Sequence, residues 1–345
     1  MDKANDSPGL FSPLELRGVT VRNRLWISPM CQYSVFAEDG VPTDWHLVHY
    51  GSRAVGGAGL ILVEATAVEA RGRISAQDLG LWQDDQIDAY KPIVRFMAEH
   101  GATPGIQLAH AGRKAAVPGA IAPSALAFSE HYQTPAEMSK DDIQHVIDAF
   151  HLATLRARDA GFRALEIHSA HGYLLHQFLS PLANQRDDNY GGSFENRIRL
   201  HLEVVRAVRA VWPERLPLFV RISATDWADG GWDIDQSVEL ARRLTVEGVD
   251  LVDVSSGGLT PDQQIKPGPA YQTPFAERIR REAGIATAAV GLITDARQAD
   301  AIVRDGRADA VFIARQSLRD AYFPLHAARI LGSEPPVPTQ YRRAW

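Results

Sequence analysis

One cysteine, only five lysines and no long apolar run mark what this chain of 345 residues lacks. The lone Cys31 excludes an internal disulfide and any cysteine-rich metal or iron–sulfur centre. No apolar stretch is long enough to span a bilayer, and the segment from Met1 to Pro8 lacks the apolar core of a signal peptide. The expectation is a soluble cytoplasmic protein with no membrane partner. The net charge of −6 comes without a basic stripe, which argues against nucleic acid as a partner. A Pro/Gly/Ser-rich linker is also missing from mid-chain, so the expectation is one domain over residues 1–345.

What is present is alternation. Short runs rich in Val, Ile, Leu and Ala read as strands at Arg24–Met30, Gly59–Thr66, Thr103–Ala109, Ala164–Ser169, Leu218–Ser223, Asp250–Ser255, Ile285–Val290 and Ala308–Ala314. Helical spacing falls between them, at Trp45–Gly57, Asp84–His100, Ser139–Ala160, Glu195–Trp212, Asp235–Glu247, Phe275–Ala283, Asp295–Asp305 and Phe323–Leu331. Ser139 and Asp142 resemble a capping pair, and Gly161, Gly248, Gly284 and Gly306 close helices. Eight strand–helix units in one series predict an α/β fold, a single (β/α)8 TIM barrel. The long loops after strands one, three, four and six then rise at one end, where barrels keep their chemistry.

The polar residues at those strand ends are the candidates. The loop after strand four carries His168, His171 and Tyr173, a set able to hold an oxygen and deliver a proton. A metal site with His176, or ordinary loop packing, is the competing reading. Strand five carries Arg221, costly in an apolar strand unless it meets a carboxylate such as Asp253 or a ligand that becomes anionic. Gly291, Ala314 and Arg315, after strands seven and eight, fit a phosphate site or merely tight turns. Cys31 follows Ser28-Pro29-Met30 at the mouth, and is either a small buried apolar group or a functional thiol. Gln107 offers donors and acceptors to a ring edge or to a loop.

Together these residues resemble the Old Yellow Enzyme family of FMN-dependent ene-reductases, and within it the branch with a cysteine near the flavin, which includes YqjM-like and xenobiotic reductases. The matching segments are Ser28–Ser34, the Asp44–Tyr50 helix, Gly72–Ser75, Gln107–Lys114, His168–Pro181, Asn184–Arg186 with Asp188–Ser193, Val220–Ser223 and Tyr341–Trp345. The resemblance implies FMN at the barrel mouth. Ser28, Pro29, Met30, Cys31, Ala65, Gln107 and Arg221 would lie against its ring. Gly291, Ala314 and Arg315 would hold its phosphate end, although Ala314 stands where the family often has glycine. His168 and His171 would bind a substrate carbonyl oxygen, Tyr173 would protonate the α-carbon, Cys31 would tune the flavin and Tyr33 would line the substrate pocket. NADPH is the implied electron donor, with Arg113 and Lys114 as weak support. The implied substrates are small molecules, α,β-unsaturated carbonyl and related nitro compounds.

The tail also enters here. Pro335-Pro336-Val337-Pro338 is too proline-rich to continue a helix, and Tyr, Arg and Trp beyond it are typical interface anchors. The branch implies that residues 332–345 reach a neighbouring subunit in a homodimer or homotetramer, with Arg343, or else Arg342, in its active site. The rival functions are a flavin-free barrel lyase, a metal-dependent hydrolase using the His168/His171 loop, and a non-catalytic flavin binder. None of Lys3, Lys91, Lys114, Lys140 and Lys266 lies within an expected strand, against a Schiff-base lyase. Strand one supplies no His-x-His, against the hydrolase.

Overall fold

Eight parallel strands close on themselves in chain order in the computed structural model, which describes residues 8–345. They are Leu25–Ile27, Leu60–Ala67, Thr103–Ala109, Ala164–Ser169, Leu218–Ser223, Leu251–Ser255, Ala286–Ala289 and Ala310–Ile313. The last pairs with the first, Val311 opposite Leu25 and Ile313 opposite Ile27, and this closure defines the (β/α)8 TIM barrel. Residues 1–7, with Lys3 and nearly all of the polar N-terminal segment, lie outside the described residues.

The strand interiors are apolar because both faces are covered, by the barrel core inside and by helices outside. Trp26 stacks on Phe219 at 5.9 Å and meets Phe312 edge-on at 5.4 Å, so strands one, five and eight fill the barrel with aromatic carbon. The helices begin and end where local chemistry dictates. Ser139 caps Lys140–Ala160 by accepting from the Asp142 N–H, and Gly161 ends it in the left-handed region at φ 96°.

Three departures from the expected elements have physical reasons. Strand one stops at Ile27 because Pro29 has no N–H for the ladder. The expected helix at Glu195–Trp212 is split into Phe194–Arg197 and Arg199–Arg209, with Ile198 between them. An additional hairpin, Leu14–Leu16 with Val19–Val21, packs under the barrel, where Gly18 N–H donates to the Arg215 carbonyl and Arg17 pairs with Asp250. Strand two carries a register shift between Val63 and Thr66, which bends the chain at Glu64 and Ala65. Such bulges re-aim side chains at barrel rims. Among the described residues no helix is long and apolar enough to cross a membrane.

Candidate active site

The site is built on inward residues of strands three to six. Gln107 sits opposite Glu166, His168 opposite Arg221, and Arg221 opposite Asp253. Gln107 Nε2 donates to Glu166 Oε1 at 2.7 Å, and Arg221 Nε lies 3.1 Å from Asp253 Oδ2. The carboxylate partner foreseen for Arg221 is therefore there. It does not use the guanidinium up: among the described residues no hydrogen bond engages the Nη atoms, although Arg221 is only 6% exposed. Burial raises both Glu166 and Asp253 above the usual carboxyl range, with Arg221 acting against the rise.

The His168 and His171 rings are perpendicular, with centroids 5.2 Å apart. The Tyr173 ring meets His168 edge-on at 4.9 Å. Burial, reinforced by Arg221, pushes both histidines well below the usual imidazole range, so both are neutral. His168 Nδ1 accepts from the Ala170 N–H at 3.2 Å, which puts the ring proton on Nε2. That Nε2–H has no partner among the described residues. His171 differs: its Nε2 is 2.8 Å from Ser255 Oγ, and its backbone is left-handed at φ 57°. One imidazole is thus a free donor and the other is engaged. Burial lifts the Tyr173 phenol well above 10, so it carries its proton throughout the neutral range.

Cys31 and Tyr33 both come from the strand-one loop. Both act electrostatically on Tyr173, which brings loops one and four together. Burial raises the Cys31 thiol well above its usual value, with Asp78 and Glu64 adding to the rise. A neutral thiol is a poor nucleophile. Glu64 is fully buried near the end of strand two. It accepts from Tyr50 Oη at 2.6 Å and from the Gln32 N–H at 2.9 Å, so it pins the turn after Cys31.

Gly291, Ala314, Arg315 and His171 line one cavity of about 270 Å³, together with Ser255, Ser256, Tyr271, Gln272 and Arg319. Gly291 has φ 117°, and a Cβ there would come within 2.6 Å of Gln272 Nε2, so only glycine fits. Gln272 bridges Ser256 Oγ and the Val290 carbonyl. Its part, and those of Ser256, Tyr271 and Arg319, lie in segments where sequence offered no strand-end signal.

Other expected residues turn away. His110 bonds Glu69 at 2.6 Å. His176 is held by the Gly172 N–H at one nitrogen and by Asp226 Oδ1 at the other, so a His168/His171/His176 triad is not assembled. The tail folds on its own last helix, Phe323–Ile330: Tyr341 meets Tyr322 at 6.2 Å, and Arg329 lies over Trp345. Arg342 and Arg343 are exposed.

A flavin mononucleotide fits these groups. Arg221 has unspent donors for ring acceptors, the Ser28 hydroxyl is buried without a partner among the described residues, and the glycine-floored cavity beside Arg315 and Arg319 suits a phosphate arm. Fold and site together define a barrel enzyme whose mouth suits a redox ring.

The comparisons narrow that class. The sequence model of the NADH:flavin oxidoreductase / NADH oxidase family, whose members use FMN, matches residues 9–333. An NADPH dehydrogenase of Geobacillus sp. (strain WCH70) is 55% identical over 337 residues, 97% of this chain and 98% of the relative. One from Listeria monocytogenes serovar 1/2a (strain ATCC BAA-679 / EGD-e) is 51% identical over 339 residues, 97% and 99% of the two chains. Morphinone reductase superimposes with a TM-score of 0.80 at 29% identity, over 96% of this chain and 92% of that one. The Old Yellow Enzyme homologue from Zymomonas mobilis gives 0.80 at 26%, over 94% and 93%. This chain belongs to the NADH:flavin oxidoreductase family, the Old Yellow Enzyme group, and is a flavin oxidoreductase with FMN as its prosthetic group.

Proposed function

We propose that the protein is an NADPH-dependent ene-reductase, acting on the electron-poor C=C bond of α,β-unsaturated carbonyl and related nitro compounds. The observation that carries this reading is the pairing of two uncommitted donors, His168 Nε2–H and the Tyr173 hydroxyl, on rings 4.9 Å apart. The 50–55% identity to proteins named NADPH dehydrogenase supports NADPH as the reductant.

When bound, FMN supplies the redox chemistry, taking a hydride equivalent from NADPH and passing one to the β-carbon. Ser28, Pro29, Met30, Cys31, Ala65, Gln107 and Arg221 would hold its ring, and Gly291, Ala314 and Arg315 its phosphate. The fixed positive charge of Arg221 favours electron density placed over it. On the substrate side, negative charge grows on the carbonyl oxygen as the β-carbon is reduced. His168 donates to that oxygen through Nε2, and His171 joins it by giving up its bond to Ser255. Neutral imidazoles suit this role, since they donate without taking the proton needed elsewhere. Tyr173 delivers its proton to the α-carbon. Tyr33 lines the entrance, and the neutral Cys31 thiol tunes the ring without attacking anything, as in the cysteine-bearing branch of the family.

Tyr173→Phe separates the two halves of the cycle. Reduction of the holoenzyme by NADPH should be unchanged in stopped-flow absorbance, while reoxidation by cyclohexenone should slow by about 10²–10⁴-fold, the usual worth of a positioned acid. Equal losses in both halves would remove Tyr173 from proton delivery. We also propose an even-numbered assembly in which Arg343, or Arg342, serves a neighbouring site. The exposed arginines and the partly exposed Tyr341 on the folded-back tail support it. Light scattering that finds only monomer at micromolar concentration would contradict it.

A further inference from the structure

The basic pair Arg113–Lys114 has no part in the mechanism above, yet beside the substrate groups Arg113 is buried and Lys114 half-buried. Lys114 Nζ donates to the His171 carbonyl at 2.8 Å and to the Gly258 carbonyl at 3.1 Å. The same ammonium lies 4.5 Å from the Phe128 ring centre and 5.1 Å from that of Tyr173. Arg113 Nη2 donates to the Leu259 carbonyl at 2.7 Å. One short segment after strand three thus grips the loops after strands four and six.

Those two loops touch with no room to spare. A Cβ on Gly172 would stand 2.2 Å from the Gly258 carbonyl oxygen, and one on Gly258 would stand 2.6 Å from His171 Cα. The chain is left-handed at His171, Gly172, Gly257 and Gly258, with φ of 57°, 72°, 73° and 91°. His171 is not a glycine, so its turn persists only where surroundings enforce it. Two carbonyls facing one another repel unless a donor sits between them. A cation is the strongest such donor, and its remaining charge is well placed over aromatic faces.

We infer that Lys114 is a positioning residue: its ammonium clamps the His171–Tyr173 turn against Gly257–Leu259, and so fixes the oxygen-binding and proton-donating groups of the preceding section. The inference rests on that assignment of roles. The charge of the clamp is also open to titration. Burial, helped by Arg113, lowers Lys114 to about 8. The other groups facing it keep their state through that range. His168 and His171 are already neutral, Tyr173 remains protonated, and Arg113 remains charged, while Gly257–Leu259 has no titratable side chain. Lys114 is therefore cationic below about pH 8 and loses its charge above it.

The test compares the holoenzyme with Lys114→Met and Lys114→Arg. In the parent, reoxidation by cyclohexenone should fall above about pH 8 and level off about tenfold lower. Lys114→Met should be slower by about tenfold at neutral pH and lack that alkaline fall, and Lys114→Arg should recover most of the rate and carry the fall to higher pH. Hydrogen exchange at neutral pH should quicken at residues 256–262 in Lys114→Met and stay near the parent in Lys114→Arg. An alkaline fall that persists unchanged in Lys114→Met, or exchange there equal to the parent, would overturn the inference. If Tyr173→Phe leaves reoxidation intact while exchange still responds to Lys114→Met, the assignment of Tyr173 fails and the clamp stands.

Discussion

Phe219 and Arg221 sit two residues apart on strand five and both point into the barrel, but into opposite kinds of interior. Around Phe219 the space is filled by Trp26 and Phe312, and the one polar atom of that cluster, Trp26 Nε1, donates to the Asn23 carbonyl at 2.8 Å. Around Arg221 lie Asp253, Glu166, Gln107 and His168; among the described residues Glu166 Oε2 and Asp253 Oδ1 have no hydrogen-bond partner, and Arg221 Nε meets Asp253 Oδ2 only as an ion pair at 3.1 Å. A folded protein keeps buried polar groups unsatisfied only under strong local constraint or for a ligand. The lower layer therefore holds the fold together. The upper layer is incomplete as protein, and under the proposed function FMN would complete it.

Substitutions in the two layers should separate these roles. Trp26→Ala removes a buried indole from a packed layer and should destabilise the protein by about 3–5 kcal/mol in denaturant unfolding. The folded fraction should keep its FMN affinity, and a large loss of affinity would mean that the layers are not independent. Arg221→Met should act in the opposite sense. Losing its charge-assisted donors, at about 1.5–3 kcal/mol, weakens FMN binding roughly 10–100-fold in a fluorescence titration of the apoprotein. Its unfolding midpoint should move less than that of Trp26→Ala, and unchanged FMN affinity would return Arg221 to a purely structural pair with Asp253.

Much of this was legible before any coordinates. Apolar runs of strand length, broken by glycine and proline, marked all eight barrel strands, because a strand covered on both faces must be apolar throughout. The strand-end residues His168, His171, Tyr173, Gln107 and Arg221 converge because a barrel delivers every such end to one rim. What stayed hidden has a common cause. Lys114 bonds backbone carbonyls 57 and 144 residues away, and a carbonyl has no sequence signature. Ser256, Tyr271 and Gln272 reach the cavity beside Gly291 and Arg315 from an irregular loop whose path follows no periodicity. The hairpin under the barrel was readable in principle, since Leu-Glu-Leu and Val-Thr-Val alternate about Arg17-Gly18, but three-residue strands fall below the length at which alternation persuades. The engagement of His171 with Ser255 depends on strand six lying beside the strand-four loop, which only the folded barrel reveals.

The central claim is that the barrel mouth is an FMN site, and FMN stoichiometry tests it most directly. Protein purified without denaturant, or its apo form titrated with FMN, should take up one equivalent, shift the flavin absorbance and quench its fluorescence. Protein that stays colourless, with free FMN fluorescence undiminished at micromolar concentration, would contradict the account.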